Sequence, residues 1–124
     1  MPQPTTVLFV CLGNICRSPL AEGVFLHLAN QRGVADRFEV DSCGTGGWHA
    51  GNRPDPRSIA VADKHSINLP SRARQLHASD ADRFDLIVAM DASNRDNLIN
   101  AGVHAGKVRL LREFDPTVDA NRAD

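Results

Sequence analysis

Apolar residues recur along this chain in short runs, separated by stretches with helical spacing. The first run, TTVLFV at residues 5–10, is β-rich and apolar nearly throughout. That suits an interior parallel strand covered on both faces. The spacing then changes: Leu20, Val24 and Leu28 line one side of a helix, Ala21, Phe25 and Ala29 lie beside them, and Glu22, His27 and Arg32 face water. Pro19 fits the first helical position with Ser18 as its cap, and Gly33 fits the end. FEVDSC at 38–43 alternates more and reads as a second strand nearer an edge. Residues 44–55 form a loop region carrying one large aromatic, Trp48. Asp55 caps and Pro56 opens a modest helix towards His65, and 68–80 reads as irregular. FDLIVAM at 84–90 gives a third strand, 93–101 a short helix, and KVRLL at 107–111 a fourth strand.

Strands alternating with helices predict an α/β three-layer sandwich, with a four-stranded parallel sheet flanked by helices. Three helices are few for strands that read as buried on both faces. A closing helix is therefore expected after the polar run DPTVDANRAD at 115–124.

A length of 124 residues fits one domain, and a net charge of −1 leaves no global attraction for nucleic acid or an anionic membrane. Any bound anion must be held by a local device. The charged run Asp80-Ala81-Asp82-Arg83 reads as a solvated face. Three cysteines make a poor disulfide framework. The residues before Thr5 do not read as a secretory segment, and the first apolar run is too short to span a bilayer. The cytoplasm, where thiols stay reduced, is the expected compartment.

The local device is VCLGNICRSP at 10–19. A buried strand carries Cys11 to the carboxyl end of the sheet, where open α/β folds bind ligands. The chain then turns back into a helix. The N–H groups around Leu12, Gly13, Ile15 and Cys16 converge with those of the helix terminus into a nest sized for phosphate or a similar oxyanion. Gly13 is expected to take a backbone conformation that a side chain would hinder, and Asn14 to tie the loop together through its amide. The same field favours an anionic Cys11 sulfur that attacks phosphorus. Arg17 spans two oxygens as a planar fork, and the Ser18 hydroxyl donates to the sulfur. Zinc is excluded because Cys11 and Cys16 lack a second ligand pair.

CLGNICRSP resembles the C-x-G-N-x-C-R-S-P signature of the low-molecular-weight protein tyrosine phosphatases. The likeness continues through DSCGTGGW at 41–48, PDPR at 54–57, ARQL at 73–76 and FDLIVAMDASN at 84–94. The resemblance implies Cys11 as nucleophile, Arg17 as phosphate clamp, Asn14 and Ser18 as supports, and Trp48 on the wall of a substrate cleft. It implies no metal or other cofactor. The implied partner is a tyrosine-phosphorylated protein, with a bacterial tyrosine kinase as one candidate. Some members join the positions of Cys11 and Cys16 in a protective disulfide.

The family's general acid is an aspartate in an Asp-Pro-Tyr loop after the fourth strand. Asp115-Pro116 is followed by Thr117, and neither Asp119 nor Asp124 precedes a proline. The acid loop and last helix are thus expected beyond residue 124 of a single phosphatase domain. Asp91 either caps the helix after it or holds Arg17. His65, His77 and His104 carry no assigned chemistry, His49 is a candidate border of the cleft, and Cys43 reads as a buried hydrophobe. Rival functions are an arginine phosphatase, an arsenate reductase and a phosphoprotein-binding module with weak turnover.

Overall fold

The computed structural model describes residues 3–115. Four parallel strands make the sheet: β1 (Thr5–Cys11), β2 (Phe38–Gly44), β3 (Leu86–Ala89) and β4 (Val108–Leu110). Their order is β2-β1-β3-β4, with Val10 opposite both Cys43 and Ala89. The helices are α1 (Arg17–Gln31), α2 (Pro56–Lys64), α3 (Asp80–Arg83) and α4 (Ala92–Asn100).

Alternation along the strands builds two cores. Leu8, Val10, Ile87, Ala89 and Leu110 face α4 and pack with Leu98, Val103 and Phe84. Val7, Phe9, Cys11, Val88 and Met90 face α1, where Phe25 stands between Phe9 and Phe38 with ring centroids 5.9 and 5.0 Å away. A third cluster, Ala62, Ile67 and Leu69, seats α2 against Leu20 and Val24 of α1. The central strands β1 and β3 run buried on both faces, as a continuous apolar pattern requires, while the edge strands β2 and β4 expose Glu39 and Arg109.

Several expectations need correction. Helix α1 starts at Arg17 with Cys16 at its N-cap, so Ser18 lies inside the first turn and does not cap it. Its hydroxyl is engaged elsewhere. Gly33 does close the helix, with φ +69° and the neighbouring bonds Gly33 N–H to Asn30 O and Val34 N–H to Ala29 O. Glu22 is half-buried against β2 rather than facing water. Residues 80–83 form α3 instead of a solvated run, because Asp80 is buried and paired with Arg74 at 2.9 Å. Strand β3 is shorter than expected, and Phe84 fills the core from just before it. Residues 116–124, including Asp119 and Asp124, lie outside the described residues, as does the expected closing helix. Among the described residues no helix is long and apolar enough to cross a membrane.

Candidate active site

Strand β1 has β2 on one side and β3 on the other, so chain direction across the sheet reverses between β1 and β3. Open α/β sheets place their ligand crevice at the carboxyl ends of such a pair. Cys11 ends β1 and Asp91 follows β3, which puts both at that crevice.

The loop after Cys11 is oriented by its carbonyls. The N–H groups of Thr45 and Gly46 donate to Cys11 O and Leu12 O, and that of Asp55 donates to Ile15 O. The Ser58 hydroxyl reaches Cys16 O at 3.2 Å. Two neighbouring segments thus pull the loop carbonyls outward. The N–H groups of 12–16 make no hydrogen bond to the described protein and are left for an oxyanion. The concavity they border is about 190 Å³ and is lined by Cys11, Leu12, Gly13, Ile15, Cys16 and Arg17.

Asn14 takes the left-handed conformation, with φ +56°, where Gly13 was expected to do so. Gly13 is required for a different reason: a Cβ there would come within 2.9 Å of the His49 ring, which borders the loop. Gly44 likewise lets β2 pass close to Leu12 O, since an added Cβ would sit 2.7 Å from that oxygen. Asn14 is 2% exposed. Its Nδ2 donates to Ser18 Oγ at 2.7 Å and to Ser42 Oγ at 3.0 Å, and its Oδ1 accepts from Arg74 N–H at 3.0 Å.

That pattern constrains where the hydroxyl protons go. Ser42 accepts from Asn14 and gives its proton to Glu22 Oε1, 2.5 Å away. Ser18 also accepts from Asn14, which leaves its proton available to Cys11 Sγ at 3.0 Å, the direction a thiolate requires. Burial pushes the Glu22 carboxyl up, and the Ser42 bond opposes the shift. Sequence reasoning missed Ser42 and Glu22; only their serine-carboxylate chemistry hinted at them, and nothing local paired them.

Arg17 lines the concavity while two of its N–H groups are held from behind, by Asp91 Oδ2 at 2.6 Å and by Asn94 Oδ1 at 3.2 Å. Asp91 therefore has both expected roles, since its other oxygen caps α4 by accepting from Asn94 N–H. Burial pushes the Asp91 carboxyl up, but the Arg17 and Asn94 bonds overcome it and hold the group below the usual range. Asp55 is lowered by its bonds from Arg57. Cys16 is a free thiol, as is Cys11; burial, then Asp55 and Cys11, push the Cys16 thiol up. Cys43 is fully buried and pushed up to about 12, mainly by burial. Trp48 is 67% exposed, its ring resting on Gly46, where a Cβ would run into it. No group of three His, Cys, Asp or Glu among the described residues is arranged to hold a metal.

These features are those of a phosphate-handling cysteine enzyme, and comparison with known proteins specifies which. The model of the family "Low molecular weight phosphotyrosine protein phosphatase" matches residues 6–124. The chain is 54% identical over 117 residues to the Schizosaccharomyces pombe protein of that name, covering 92% of this chain and 75% of the relative. It is 46% identical over 121 residues to a Streptomyces coelicolor low molecular weight protein-tyrosine-phosphatase, covering 95% and 74%. The crystal structure of YfkJ from Bacillus subtilis superposes with a TM-score of 0.91 at 38% identity, covering 99% of this chain and 80% of that one. The chain belongs to the low-molecular-weight protein tyrosine phosphatase family.

Proposed function

We propose that this protein hydrolyses phosphotyrosine in proteins through a phosphocysteine formed on Cys11. The observation that carries this reading is the hydrogen-bond contact of the Ser18 hydroxyl with the Cys11 sulfur, 3.0 Å away, inside a loop whose carbonyls are tied outward. The sulfur attacks phosphorus as its thiolate, the bond to the tyrosyl oxygen breaks, and the phosphoryl group passes to Cys11. Water then attacks phosphorus and the sulfur leaves, its returning charge stabilised by Ser18. Arg17 clamps two equatorial oxygens in both steps, while Asp91 and Asn94 fix its plane. Asn14 keeps the Ser18 proton directed at the sulfur. The amides of Leu12, Gly13, Ile15 and Cys16 bind the phosphoryl oxygens, and Trp48 walls the aromatic ring.

The tyrosyl oxygen needs a proton as it leaves. Asp55 and Asp91 border the loop, but both are held ionised by arginines, so neither suits a proton donor near neutral pH. The general acid is proposed to lie outside residues 3–115, in a loop and final helix that complete one phosphatase domain. Cytoplasmic residence accords with the free thiols, and a bacterial tyrosine kinase remains a candidate substrate.

An arsenate reductase needs further cysteines in mid-chain to relay oxidation, and residues 73–94 contain none. The test is turnover of phosphotyrosine, phosphoarginine, phosphoserine and arsenate by the full-length protein. Phosphotyrosine is expected to turn over fastest, and Cys11→Ser to abolish it. Preference for phosphoarginine or arsenate, or unchanged turnover in Cys11→Ser, would overturn the reading.

A further inference from the structure

A second concavity adjoins the first, and Leu12 belongs to both. It is about 400 Å³ and runs between the loop carrying Trp48 and the last turn of α4. Trp48 and Leu12 form one wall, 67% and 47% exposed. Asn97 and Asn100 of α4 form the other, with Thr45 and Gly46 between. No lining residue is charged. Neither asparagine side chain makes a hydrogen bond to the described protein, and Thr45 Oγ1 is buried without a partner. The fold therefore leaves the polar side chains of this groove unused, although it ties down the Thr45 and Gly46 main chain.

We propose that the groove binds the extended main chain next to the phosphorylated residue of a protein substrate. The inference rests on the phosphatase reading for the identity of that residue. A peptide backbone needs acceptors for its N–H groups and donors for its carbonyls, and a carboxamide supplies both without charge. Asn97 and Asn100, three apart on one helical face, have Cβ atoms about 5–6 Å apart. Alternate residues of an extended strand are separated by about 6.6 Å, so two flexible carboxamides reach successive groups on one edge of the peptide. A neighbouring side chain then covers the exposed face of Trp48, which favours an apolar residue there. A small aryl phosphate fills the cradle and reaches Trp48 with its ring, but carries no main chain to engage Asn97 or Asn100. The two concavities thus divide the work, one for the phosphoryl group and one for the surrounding protein.

The test pairs a phosphotyrosine decapeptide with p-nitrophenyl phosphate, using the full-length protein and its Asn97→Ala/Asn100→Ala double variant. Two lost hydrogen bonds are expected to cut kcat/KM for the peptide roughly tenfold, through KM, and to leave p-nitrophenyl phosphate within about twofold. Equal effects on both substrates, or no effect on the peptide, would overturn the proposal. A binding arm separates this proposal from the phosphatase reading. Trp48 is the chain's single tryptophan, so its fluorescence reports on the groove and on an aryl ring held beside it. In Cys11→Ser, the phosphopeptide is expected to change Trp48 emission more than phenyl phosphate does, and the double substitution to remove that excess. A parent that binds the peptide this way without hydrolysing it would refute the phosphatase reading and uphold the groove. Hydrolysis with a Trp48 response to the peptide no larger than that to phenyl phosphate would do the reverse.

Discussion

Asn14 is the residue around which the loop is ordered. Its positive φ turns the chain, and its carboxamide joins the loop to β2 through Ser42, to α1 through Ser18 and to the 71–76 segment through Arg74 N–H. Asparagine tolerates the left-handed region better than other residues with a β-carbon, and it fills three hydrogen-bonding roles that glycine could not. The outcome at the sulfur is a single directed hydroxyl. Removing it by Ser18→Ala loses a hydrogen bond to a charged group, about 1.5–3 kcal/mol, or roughly 10- to 150-fold in rate. Because Ser18 stabilises the departing sulfur, the loss is expected in breakdown of the phosphoenzyme. Stopped-flow assays should show kcat reduced while a burst of released phenol persists.

At this scale the sequence was legible where chemistry is local. Cys11, Asn14, Arg17 and Ser18 fall within eight residues, and their types dictate what they can do. It misled where a conformation depends on distant packing. Gly13 invites a left-handed assignment, yet its smallness serves the approach of His49. Ser42 and Glu22 lie on separate elements and meet only when α1 packs on β2.

Among elements, α4 couples stability to the site. Asp91 caps it through one oxygen and restrains Arg17 through the other. Two substitutions separate these roles. Asparagine is as good an N-cap as aspartate, so Asp91→Asn keeps the cap and loses only the part-exposed ion pair with Arg17, and is expected to lower kcat through a loosened Arg17 at a small cost in stability. Asp91→Ala should lose a further ~1 kcal/mol of stability. Thermal melts run beside steady-state assays would show it, and equal destabilisation by both variants would argue against the cap. The apolar strands and the Asp55-Pro56 helix start were readable because each carries its own periodicity or cap. The start of α1 was not, because the Ser18 hydroxyl is recruited by Cys11 and Asn14. Helix α3 was missed because DADR has no apolar face, and a buried ion pair holds it in place.

Across the whole molecule, Arg74 binds Asp41 of β2 at 3.0 Å and Asp80 of α3 at 2.9 Å, clasping the segment that also supports Asn14. Burial pushes the Asp80 carboxyl up, but bonds from Arg74 and the His77 N–H reverse this and hold it low. A depressed carboxyl contributes stability above its unfolded value, about 3.9, and loses it as pH falls through the folded value. Asp80→Asn is therefore expected to cost roughly 1–2 kcal/mol at pH 7, since Arg74 is part-exposed and keeps Asp41, with the gap to the parent beginning to close as pH drops below about 4. Urea melts at pH 7 and pH 3 would measure it; a gap as large at pH 3 as at pH 7 would remove the ion pair as its cause. The expected shortage of cover on the sheet has a counterpart here. Phe9 and Met90, with Leu20, Val24 and Phe25, line an apolar groove of about 410 Å³ beside α1, with Leu111 at its edge. It holds no polar group suited to a phosphoryl ligand apart from Arg17 at its rim, so the chemistry stays at the switch between β1 and β3.

Whether phosphorus becomes bonded to the sulfur of residue 11 during turnover is the most direct question. The full-length protein can be mixed with a phosphotyrosine substrate, quenched within milliseconds in alkaline denaturant, and mapped by peptide mass spectrometry. The account predicts one phosphoryl group on the peptide containing Cys11, appearing and decaying at rates that match turnover. Turnover with no label there, or with the label on another residue, would contradict it.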